Sequence, residues 1–107
     1  MRILRFIIND QIIKRDSNCD FSNLVPGTEG YIQAEFIFSS DWNNTIRVAA
    51  FYSMTGQEYE PQVLKDGKTC MIPAEALKQH SFKIQLIGKK NNFKIITNKV
   101  VVHQTGR

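Results

Sequence analysis

Long apolar runs are missing from this 107-residue chain. The longest, Ile3 to Ile8, is interrupted by Arg5 and falls far short of the roughly 20 residues that a membrane helix needs. It ends at Asn9-Asp10 with no small-residue cleavage site after it, so it does not read as a signal peptide, and cytoplasmic synthesis is expected. Cysteine is scarce: Cys19 and Cys70 are the two, and without a secretion signal they are expected to be thiols. His80 and His103 stand at no ligand spacing to each other or to the cysteines, so neither a metal nor any other cofactor is expected. The six glycines stand singly as turn punctuation, which excludes a phosphate-cradling loop. Ser53 lacks a G-x-S-x-G setting and Cys70 falls in a strand-like run. No nucleophile, base and orienting group converge, and no enzymatic activity is expected.

Carboxylates are scarce in one half only. Residues 1–60 carry five basic and eight acidic side chains, net −3, whereas residues 61–107 carry nine basic and two acidic, net +7. A lysine-rich half serves as a solvated face that keeps strands soluble, or as a docking surface for something acidic. Lys83 and Lys94 fall on the polar phase of their strands, Lys89 and Lys90 on the turn between them, and Lys99 on the closing strand. Antiparallel pairing across that turn is expected to gather all five into one patch, the candidate partner-binding surface. Tyr52, Phe82 and Phe93 could stack on bases, but the phenylalanines lie on apolar phases, which disfavours nucleic acid.

What is present is alternation. Residues 1–9 read as a strand, Asn9-Asp10 as a turn and Gln11 to Lys14 as its return. Arg15 to Gly30 is loop, with Val25-Pro26-Gly27 suited to a type II turn. Tyr31 to Ser39 sets Ile32, Ala34, Phe36 and Phe38 on one face, and Thr45 to Tyr52 follows a turn around Trp42, which is expected to plug the end of the core. Tyr59 to Lys65, weakened by Pro61, reads as an edge strand that Asp66-Gly67 folds back into Thr69 to Ile72. Pro73 opens one helical turn, Phe82 to Ile87 forms a strand ending at Gly88, and Phe93 to His103 closes the chain. Some eight short strands at spacings of about ten residues, with turn chemistry between them, indicate an all-β, immunoglobulin-like antiparallel sandwich in a single domain over 1–107. Phe36, Phe38, Trp42, Phe51, Ile72 and Phe82 are its expected core.

Several segments resemble a recurring domain. Ser40-Asp41-Trp42, Val48-Ala49-Ala50-Phe51, Asp66 to Pro73 with Glu75 and Leu77, Phe82 to Gly88, and Ile95-Ile96-Thr97-Asn98 are similar to the immunoglobulin-like N-terminal domain of baseplate upper proteins. Those proteins belong to tailed phages and prophages of Gram-positive bacteria. The similarity runs from about Tyr31 to Val102 and rests on fold-determining residues. In that family the domain commonly leads a longer virion protein and attaches a receptor-binding or fibre module to the tail. With the sequence ending at Arg107, no such module is expected here. The resemblance implies a tail or baseplate component that acts by protein–protein contact, made in the host cytoplasm and carried in the virion. Its partners would be other virion proteins or further copies of itself, and a homo-oligomer stays open. The alternative is a stand-alone phage inhibitor that binds a host defence protein or its nucleic-acid complex.

Overall fold

Strand alternation resolves into two sheets packed face to face in the computed structural model, which describes residues 1–106. In chain order the elements are β1 (Arg2–Asn9), β2 (Ile12–Arg15), β3 (Ile32–Phe38), a 3-10 turn (Ser40–Trp42), β4 (Ile46–Ser53), β5 (Gln62–Val63), β6 (Thr69–Met71), α1 (Ala74–Leu77), β7 (Ser81–Lys90), β8 (Phe93–Ile96) and β9 (Val100–His103). One sheet has the order β2-β1-β3-β6, and the other β5-β4-β7-β8 with β9 also paired to β7. The chain crosses between sheets three times, so that β6 returns to pair with β3 and β7 returns to pair with β4. An immunoglobulin-type sandwich pairs B with E and C with F in the same way. The expected all-β sandwich is present.

One pairing departs from the antiparallel expectation. β1 runs parallel to β3, from Arg2 beside Ile32 to Ile8 beside Phe38. A parallel link needs a connection of about a dozen residues or more, and residues 16–31 supply it by carrying the chain back to the level at which β1 began. The Arg2 guanidinium fastens this return by donating to the carbonyls of Asp20, Ser22 and Asn23, while Leu24 is buried beneath it.

Leu4, Phe6 and Ile8 of β1 and Ile32, Ala34 and Phe36 of β3 meet Ala49, Phe51, Phe82, Ile84 and Leu86 of the facing sheet. Every expected core residue is buried except Phe38, which is half-buried between the Trp42 ring, at 5.0 Å between centroids, and the Arg47 guanidinium, 4.1 Å from its own centroid. Trp42 is fully buried at the end of the sandwich and donates from Nε1 to the Asp10 carbonyl at 2.8 Å. Gly88 makes room for it. Far from ending its strand, Gly88 lies inside β7, and a Cβ there would stand 2.8 Å from two carbons of the indole.

Three local readings change. Asp66-Gly67 is not a hairpin: β5 belongs to one sheet and β6 to the other. The Asp66 carboxylate accepts from the Lys68 and Thr69 amides and from Thr69 Oγ1, while Arg47 Nη1 donates to the Gly67 carbonyl, so the turn is shaped as a crossover. The final hairpin turns on Asn91-Asn92 alone, with Lys89 and Lys90 already on β7. The closing strand is broken in two because Thr97 turns its side chain inward, where Oγ1 accepts from the Leu86 amide at 3.0 Å. Asn98 then reaches the first sheet: Oδ1 accepts from the Ile13 amide at 2.7 Å, and its own amide donates to the Gln11 carbonyl. Thr97-Asn98 thus ties β2 to the second sheet along one side.

Candidate contact surface

Antiparallel register sorts the lysines of the second sheet. Lys89 lies opposite Lys94, and Lys83 lies between Tyr52 and Val101, all on the outer phase of the sheet. Lys99 sits in the break between β8 and β9 and places Nζ 4.1 Å from the centroid of the Tyr52 ring, on the same face. Lys90 does not join them. It occupies the inner phase beyond the end of the core, where Nζ stands 5.6 Å from the Phe93 centroid and donates to the Asn43 carbonyl at 3.3 Å. The expected single patch of five is therefore a face of four, divided into Lys89/Lys94 at one end and Lys83/Lys99 at the other, because a two-residue turn fixes which phase each lysine takes.

Between those ends runs a feature that charge alone does not reveal. Val63, Val48, Ile87 and Ile96 are register neighbours on four successive strands and form an apolar row across the outer face. Val63 is 54% and Ile96 43% exposed, and Ile46 next to Lys89 is 71% exposed. The signal was in the sequence: Val48 and Ile87 put aliphatic side chains on the phase that otherwise carries Tyr52, Lys83 and Gln85. Register, which sequence does not state, lines them up.

Around this row the polar groups are fixed by one another. The Tyr52 hydroxyl donates to Gln85 Oε1 at 3.0 Å, and Gln85 Nε2 donates to the Thr97 carbonyl at 2.7 Å. Burial pushes the Tyr52 phenol above its ordinary pKa, and the neighbouring Glu58 adds to that. Among the described residues both ion pairs belong to Arg5, with Glu35 at 2.7 Å and Asp16 at 3.9 Å, so every lysine is left without a carboxylate partner.

A concavity of about 700 Å3 opens at the Trp42 end among Asp10, Gln11, Ser40, Asp41, Lys90, Phe93, Lys94 and Ile95. There the Asp10 carboxyl is raised above its usual value by its hydrogen bond to Asp41 and by that neighbour's charge. Neither concavity nor face assembles a catalytic set. His103 Nδ1 and Ser81 Oγ lie 2.7 Å apart on an exposed rung, and among the described residues no three His, Cys, Asp or Glu side chains are placed to hold a metal. Both cysteines are free; Cys70 is buried, and desolvation pushes its thiol up to about 12.

Compared with protein families, curated proteins and solved structures, the chain matches none.

Proposed function

We propose that this chain is a structural or adaptor domain of a phage or prophage tail that works by protein–protein contact through the outer face of its five-stranded sheet. The observation that carries the contact reading is the row Val63-Val48-Ile87-Ile96, an aliphatic strip across four strands with exposed ends at Val63 and Ile96 and a half-buried middle at Val48 and Ile87. Uncovered apolar strips rimmed by polar residues are a mark of interaction surfaces. The virion setting rests on the resemblance to baseplate upper proteins. The segments that carry it occupy the positions that shape the fold, with Trp42 over Gly88 and the Asp66 crossover among them.

The test mixes the purified chain with any tail or baseplate proteins found encoded beside it, whose absence would itself count against the virion setting, and follows complex formation by sedimentation velocity. The expected result is a complex that Val48→Glu with Ile96→Glu abolishes and that Ile3→Glu with Ile37→Glu, on the outer face of the other sheet, leaves intact. If no tail protein associates, the virion assignment is lost. If the sheet-face pair has no effect, the contact surface lies elsewhere.

A further inference from the structure

The partner's chemistry can be read from the same face, on the footing that the face is the contact surface. We infer that the partner is a protein presenting an aliphatic strip flanked by carboxylates, rather than the same face of a second copy or a nucleic acid.

Lys83 and Lys89 are six residues apart on β7, about 20 Å at roughly 3.3 Å per residue. Lys99 joins the first over Tyr52, and Lys94 stands opposite the second. The apolar row lies between these two cationic ends. A surface that covers the row must also meet ammonium groups on both sides of it, and among the described residues none of them has a carboxylate partner. A carboxylate-free partner would leave a pair of uncompensated cations at each partly dehydrated end, which disfavours association.

A second copy presenting this same face fails on sign: it would bring the same four ammonium groups, against Glu58 beside Tyr52. Nucleic acid would satisfy the charge but not the row, because bases gain from stacking on aromatic faces. Here the row is aliphatic, the Tyr52 ring is already covered by Lys99, and Phe93 is on the other phase in contact with Lys90. Carboxylates at the flanks and aliphatic side chains at the centre answer both features.

The wild-type chain, labelled for amide NMR, is titrated with four probes: an amphipathic peptide of Leu and Glu, the same peptide with Lys for Glu, an all-Glu peptide of equal length, and an oligothymidylate. The Leu/Glu peptide is expected to shift the amides around Val48, Ile87, Ile96, Lys89 and Lys94, and to bind at least about tenfold more tightly than the other three. Raising salt from about 50 to about 300 mM should weaken it. Lys89→Glu with Lys94→Glu should abolish binding, whereas Lys90→Glu, on the same hairpin but the other phase, should leave it unchanged. Equal binding of the Leu/Lys peptide, equal or tighter binding of the all-Glu peptide or the oligonucleotide, or no response to any probe overturns the inference. The tail-protein assay separates this failure from that of the contact reading. A complex lost with Val48→Glu and Ile96→Glu but indifferent to the Lys89/Lys94 reversal keeps the surface and removes the acidic partner.

Discussion

Gly88 shows how much a single hydrogen in place of a methyl can decide. Its Cα faces the indole of Trp42 so closely that a Cβ would stand 2.8 Å from the ring and 3.2 Å from Ile95 Cγ2. Neither neighbour has space to retreat, since Trp42 is fully buried and held by its bond to the Asp10 carbonyl. Gly88→Ala should therefore destabilise by about 1–3 kcal/mol in a denaturant titration, despite the better strand propensity of alanine. The sequence showed the glycine but not its use: Trp42 is 46 residues away, and only the crossing of the chain between sheets brings the two together. The cysteines separate by the same logic of surroundings. Cys70 is buried with its thiol raised to about 12, while Cys19 is half-buried beside the Arg5 amide. In the native protein at neutral pH a thiol reagent should leave Cys70 unmodified, and two groups should titrate after denaturation without reductant. No titratable group would show that the two cysteines form a disulfide.

Among the elements, those defined by local chemistry were legible and those defined by partners were not. The β1–β2 hairpin, the alternation of β3 and the plug at Trp42 follow from residues within ten positions of one another, and the sequence reading of each stands. Asp66-Gly67 carries the same dipeptide signal as a hairpin, yet joins different sheets, because β4 and β3 offered separate partners to β5 and β6. Its carboxylate, held down to about 2 by Thr69 and the Lys68 amide, gives a pH signature. A folded pKa below the unfolded value of 3.8 adds stability above pH 3.8, and that stability is lost as pH falls through about 2. Asp66→Asn should flatten the fall in stability across that window, followed by fluorescence unfolding. The Thr97-Asn98 break was equally hidden, since the run from Phe93 to His103 reads as one strand by propensity. Asn98→Ala removes the acceptor for the Ile13 amide and should cost about 1 kcal/mol, with faster hydrogen exchange at Ile13 as the local readout. If Ile13 exchange is unchanged, the tie between β2 and the second sheet is not holding that edge.

On the scale of the whole molecule, charge and apolar surface are arranged rather than scattered. The acidic first half contributes the first sheet's Arg5–Glu35 pair, which is satisfied internally, whereas Lys83, Lys89 and Lys94 of the basic second half point outward without a carboxylate partner among the described residues. The fold accepts some strain for this: Lys89 and Lys94 are placed directly across a strand pair. Lys94→Glu should replace that repulsion with attraction and stabilise the isolated domain by about 0.5 kcal/mol, read as a small rise in melting temperature. A fall instead would indicate that the two side chains diverge in solution. The parallel placement of β1 has a mechanical consequence. The first strand of the chain is not at a margin but wedged between β2 and β3. Tension applied to the N-terminus along the strand axis must slide β1 past both neighbours at once, loading their hydrogen bonds in shear. Tension on β9 along the same axis loads its pairing with β7 alone. The domain should therefore bear more load through β1 than through β9.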